Sequence, residues 1–164
     1  MKKLVLFLMI VQFIACNKKQ YTIVVVDNEK VQADFIHKID RAEKALITWY
    51  LYAYGNECTN SKPATKCELL KLLEINNECN TKHLQMLKQW LSKDILASYK
   101  LKKCPNLPHN SAIQNSIDKL ILTRNNKALS ISYKIKGLNN SQEKSWNIER
   151  TDHYIIENNT FLKK

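Results

Sequence analysis

LSISYKI, residues 129–135, alternates apolar and polar side chains without a break. Successive side chains of a strand point to opposite faces of a sheet. Leu129, Ile131, Tyr133 and Ile135 therefore belong on a core face, and Ser130, Ser132 and Lys134 on a wet one. Working outward, 119–123 reads as a preceding strand, with Asn125-Asn126 as the turn between them. Residues 137–141 form a second turn, and Trp146 and Ile148 mark a further strand. Tyr154-Ile155-Ile156, then Asn158-Asn159, then Phe161-Leu162 reads as a last hairpin. The carboxyl half is thus an antiparallel meander.

Upstream the period changes. Phe35, Ile39, Ala42, Leu46, Trp49 and Ala53 recur in steps of four and three, which predicts a long helix over 30–54 ended by Gly55. Lys38, Asp40, Arg41, Glu43 and Lys44 fall mostly on its other face. Thr65-Lys66-Cys67-Glu68 fits a capping box and opens a second helix over 66–76. A third covers 82–98, with Leu84, Leu87, Leu91 and Ile95 at helical spacing. Pro105 and Pro108 make 104–109 an irregular loop. Tyr21 to Val26 is β-branched enough for a first strand. The predicted architecture is α+β: three N-terminal helices packed on a curved antiparallel sheet of about four strands, in one domain over 30–164.

That element order, with the segment Trp49-Tyr50-Leu51-Tyr52 on a long first helix, resembles the cone-shaped nuclear transport factor two-like and cystatin-like folds. The resemblance implies a cone that hosts an enzyme, a ligand binder or an inhibitor, and it assigns no functional residue. Tyrosine gives an apolar wall with a polar tip, so Tyr50 and Tyr54 are candidates for the rim of a pocket. Packing beneath the sheet is the competing reading and the favoured one.

The amino end reads as processing. Lys2 and Lys3 precede an apolar run over 4–14, long enough for a signal peptide and short for a membrane span. Phe13-Ile14-Ala15-Cys16 resembles the lipobox of bacterial lipoproteins, with Phe13 in place of the usual Leu. The resemblance implies that residues 1–15 are removed and that Cys16 is lipidated. Two or three acyl chains anchor a protein firmly. Residues 16–29 are then a lipidated lead-in. In the enterobacterial lipoproteins that this segment resembles, Asp at the next position favours the inner membrane, so the resemblance implies the outer membrane for Asn17, and the periplasmic side is the expected location.

Apolar residues at 45% fit a globular chain, and 2 Gly and 3 Pro leave little room for linkers. The net charge of +11 attracts nucleic acid, anionic lipid or an acidic protein. An exported chain without a nucleic-acid motif points away from the first. With Cys16 assigned to lipid, Cys58, Cys67, Cys79 and Cys104 suit two disulfides in an oxidising compartment. Three connectivities exist. An unbroken helix would hold Cys67 and Cys79 about 18 Å apart, too far to bridge, although Asn76-Asn77 offers a break. Cys58–Cys67 with Cys79–Cys104 is the preferred pairing. Zinc is disfavoured because no C-x₂-C pair is present.

Catalytic patterns are thin. His37, His83, His109 and His153 show no metal spacing. Asp152 and His153 are adjacent on a strand and point apart. Cys104 with His109 conflicts with the disulfides, and Ser130, Ser132 and Lys134 suit a solvent face. The sequence thus predicts no catalytic residue, no metal and no cofactor. The expected function is a non-enzymatic binding module, an inhibitor or immunity protein for an acidic partner. The alternatives are a small-ligand or lipid carrier, then a small hydrolase or isomerase.

Overall fold

The structure is a computed structural model that describes residues 20–54, 65–75, 81–93 and 113–164. Among these residues the chain forms six strands and three α-helices. The strands are β1 (Gln20–Asp27), β2 (Lys30–Val31), β3 (Ile113–Asn125), β4 (Ala128–Asn139), β5 (Lys144–Glu157) and β6 (Thr160–Lys163). They make a single antiparallel sheet in the order β2-β1-β3-β4-β5-β6. The helices are α1 (Arg41–Tyr54), α2 (Thr65–Leu72) and α3 (Thr81–Trp90).

The sheet corrects the expectation of about four strands behind three amino-terminal helices. It begins before the helices. β1 falls within the segment read as a lead-in and pairs with β3 from Gln20↔Asn125 to Asp27↔Lys119. At its end Asn28 (φ 49°) and Glu29 (φ 63°) turn the chain back into β2. Positive φ at both central residues suits the twist of a two-residue hairpin. β5 is one strand of 14 residues where two separate strands were expected. Its polar inward positions hide the alternation. Asn158 (φ 49°) and Asn159 (φ 58°) form the β5–β6 hairpin.

The first helix is shorter than predicted. Residues 30–31 are held in β2, and a 3₁₀ turn over Ala33–His37 buries Phe35. The helix starts where Asp40 caps it: Oδ1 accepts from the amides of Ala42 (2.8 Å) and Glu43 (3.0 Å), while Glu43 Oε2 accepts from the Asp40 amide (2.7 Å). This is a reciprocal capping box. α2 ends in a Schellman turn. Glu74 takes φ 55°, and the Ile75 and Glu74 amides donate to Leu70 and Lys71. α3 gives way to a turn after Trp90, and 94–98 lie outside the described residues.

The core lies between the sheet and α1. Leu122, Leu129, Ile131, Tyr133, Ile135, Tyr154 and Phe161 are buried from the sheet side. α1 is buried from Ala45 through Tyr52 because it meets β3 as well as α2 and α3. A helix covered on both sides has apolar residues nearly all round, rather than one stripe. Gly137 pairs with Trp146 across β4 and β5. A Cβ there would lie 2.0 Å from the indole Cε2, so the missing side chain is what lets the ring lie on the strand.

Candidate functional site

Tyr50 and Tyr54 lie one turn apart on α1, so both side chains face the same way. Even-numbered residues of β5 pair with the inward residues of β4: Tyr154 with Leu129, Asp152 with Ile131 and Arg150 with Tyr133. The helix and the sheet thereby bring four tyrosines and a carboxylate together. The Tyr50 hydroxyl donates to Asp152 Oδ2 and lies 3.0 Å from the Tyr154 hydroxyl. Lys163, on β6, ion-pairs with Asp152 Oδ1 at 3.1 Å. Tyr54 stacks on Tyr133 with centroids 5.2 Å apart, and Tyr50 meets Tyr133 edge-on at 5.0 Å.

Burial pushes the Tyr50 phenol far up, and neighbouring Tyr154 and Asp152 push it further. Burial and then Tyr54 raise Tyr133 in the same way. Both phenols therefore stay protonated at neutral pH and act as donors. Asp152 already has a phenol and an ammonium as partners. The cluster is a neutral aromatic wall around a compensated charge, with exposed Arg150 beside it.

A comparison with protein-family models, curated proteins and solved structures finds no match. The site is accordingly read from its own geometry.

Tyr50 is buried, at 2% exposure, and Tyr54 is half-buried. Cys67 is disulfide-bonded. Cys16, Cys58, Cys79, Cys104 and His109 lie outside the described residues. His37 is exposed on the 3₁₀ turn. No group of three metal-binding side chains occurs among the described residues. Asp152 and His153 do part: Asp152 points inward, whereas His153 Nδ1 lies 2.8 Å from Ser130 Oγ on the outer face. Asp152 is therefore unable to orient that imidazole. Ser132 bonds Thr151 at 2.8 Å, and Lys134 pairs with Asp118 at 3.4 Å. These are cross-strand pairs of a wet sheet face.

Sequence reasoning missed Asp152 as a partner of Tyr50, and Lys163 as the partner of Asp152. The available signal was parity, since Asp152 shares the face of Ile148 and Tyr154. A second polar knot was also missed. Glu43, expected on a polar helix face, is fully buried. Its Oε1 accepts from the Tyr21 hydroxyl (2.6 Å) and Arg124 Nη1 (3.3 Å), and Arg124 also holds Asp40 at 2.5 Å. This knot ties the start of α1 to β1 and β3.

Proposed function

We propose that the chain is a lipid-anchored protein of the bacterial envelope, held at the outer membrane by Cys16 and facing the periplasm. Its domain is a non-enzymatic binding module that inhibits an acidic protein partner, as an immunity protein does. The observation that carries this reading is the distribution of charge. Asp34, Asp40, Glu43, Asp118 and Asp152 are all engaged in ion pairs within the domain. α3 and the turn after it display exposed Lys82, Lys88 and Lys93, and residues 81–93 contain no carboxylate. Each pair also takes up a cation, so the positive excess, +11 over the whole chain, is left for surfaces such as that of α3. Such a surface speeds encounter with an acidic protein. None of the described helices is long and apolar enough to cross a membrane, and the anchor in this reading is the lipid.

The test is capture by the full chain, expressed with its own leader and extracted in mild detergent. Native envelope and secreted fractions are applied and washed at low and high salt. The expected result is one near-stoichiometric acidic protein, released by salt and lost with the triple variant Lys82→Glu/Lys88→Glu/Lys93→Glu. Retention of a lipid or metabolite without a protein would sink this reading. It would favour the small-ligand alternative, for which the Tyr54–Tyr133 stack beside Arg150 is the supporting feature.

A further inference from the structure

β5 is longer than the strand that covers it. β6 pairs only with Tyr154 to Glu157. The Lys164 amide donates to the His153 carbonyl, and there the cover stops. Among the described residues nothing pairs with the outer edge of 144–152. The Ile156 amide donates back toward β4, to Lys127, so even-numbered residues face β4 and odd-numbered ones face the edge. The N–H and C=O groups of Ser145, Asn147, Glu149 and Thr151 therefore point outward. Their side chains are exposed, as are those of Lys144 and Arg150. Lys144, Glu149, Arg150 and Asp152 charge this edge, but the two defences that bar backbone pairing outright are missing. It carries no proline, and the β4–β5 ladder runs from Asn139↔Lys144 to Ala128↔Ile155 without a register shift.

The sequence of that edge, KSWNIERTD, opposes no like charges when a second copy is centred on Ile148. An antiparallel second copy centred there sets Ile148 against Ile148, Trp146 against Arg150 and Lys144 against Asp152. Each unlike pair occurs twice. Ile148 on itself is an apolar contact on the inner face, while each Trp146 ring stays over Gly137 and each Asp152 keeps Tyr50 and Lys163 as partners. On the outer face Ser145 meets Thr151 and Asn147 meets Glu149. These odd-numbered pairs are the hydrogen-bonded ones, so every free backbone group over 145–151 gains a partner. The nearest other registers that keep the same faces together put Glu149 against Glu149, Arg150 against Arg150, or Arg150 against Lys144. The fit also ends where it must. The partner's Lys144 lies opposite Asp152, and its chain turns away at Glu143 (φ 52°) before reaching Lys164.

We propose that the open edge of β5 is a self-association site, at which two copies of this chain join their sheets antiparallel through residues 144–152 with Ile148 on the two-fold axis. The proposal is independent of what else the domain binds.

Cysteine substitution in the full chain, produced in its own envelope, tests the register. Ile148→Cys places two sulfurs at a non-hydrogen-bonded pair, whose Cα separation of about 4.5 Å allows a disulfide. The expected result is a species of twice the mass on a non-reducing gel, lost on reduction. Glu149→Cys and Ser145→Cys should stay at single mass. A cross-link at Glu149→Cys in place of Ile148→Cys overturns the proposal. Sedimentation in detergent keeps the test independent of the cysteine variant. The parent should sediment as a dimer, and Ile148→Glu, which sets two like charges opposite each other on the axis, should weaken association at least about tenfold. A parent that is monomeric up to about 100 μM, a concentration at which a weak protein pair is still populated, overturns it as well.

Discussion

Replacing Arg124 by Met tests whether the Glu43 knot fastens α1 to the sheet. Glu43 is fully buried and receives three donors, from Tyr21, the Asp40 amide and Arg124. Methionine keeps much of the aliphatic packing and removes the charge. Stripping one partner from a buried ion pair costs about 3–5 kcal/mol. Two observations place this case at the lower end. Two donors remain on Glu43, and the Arg124 and Asp40 side chains are 20% and 50% exposed. The expected loss is about 3 kcal/mol, a large share of the stability of a small domain. Guanidinium unfolding, followed by the fluorescence of Trp49, Trp90 and Trp146, measures it. Adding Glu43→Gln to Arg124→Met neutralises the stranded carboxylate and should recover about 1 kcal/mol or more. A loss below about 0.5 kcal/mol for Arg124→Met, the range of ordinary surface changes, would refute the reasoning. So would a double variant that is weaker than the single one.

Other outcomes follow from the same contacts. Gly137→Ala pushes a methyl group into the Trp146 indole and should cost about 1–3 kcal/mol, as overpacking does; in a Trp146→Ser background the same change should cost under about half of that if the ring is the obstacle. Tyr50→Phe removes the hydroxyl shared by Asp152 and Tyr154 and should cost about 1–3 kcal/mol in thermal or chemical unfolding; a neutral result would mean the cluster is not held by that hydroxyl. The Tyr21 phenol is pushed up to about 12, first by burial and then by Glu43. Its folded pKa is raised, so its contribution is complete below the unfolded value of 10.0 and fades as pH rises toward 12. Tyr21→Phe should flatten that part of the stability profile relative to the parent. Asp118 behaves oppositely. Lys136 holds its carboxyl below 3.8, so its contribution is present above that pH and is lost on further acidification. Asp118→Asn should remove this acid-side loss.

What the sequence revealed depended on how regular the burial is. Residues 129–135 sit in a central strand with one face dry and one wet, and their alternation is fully legible. β5 lies near the edge of the sheet, where inward positions tolerate Asp152 and Arg150, and the same period disappears. β2 is two residues long and carries no pattern, so its pairing emerges only from the turn at Asn28 and Glu29. Phe35 and Ile39 happen to continue the spacing of α1, although a 3₁₀ turn and the Asp40 cap separate them from it. Tyr50 was visible as a candidate, but its partners Asp152 and Tyr154 come from β5, about a hundred residues away, and no local pattern reports such a contact. Glu43 misled because a charged residue on a helix is normally solvated. Only the fold shows Tyr21 and Arg124 converging on it.

The start of β1 at Gln20 has a geometric consequence for an anchored chain. Fully extended, residues 16–20 reach about 14 Å, so a lipid on Cys16 would hold the sheet on a very short leash. A two-fold seam along β5 has its axis normal to the sheet and sends the leashes of the two copies to opposite corners. Both leashes can reach one bilayer only when that axis stands upright. Anchor and seam together would lay the joined sheets flat along the membrane, with their strands in its plane. Upright strands in polarised infrared spectra of oriented membranes would mean that the anchor or the seam is wrong.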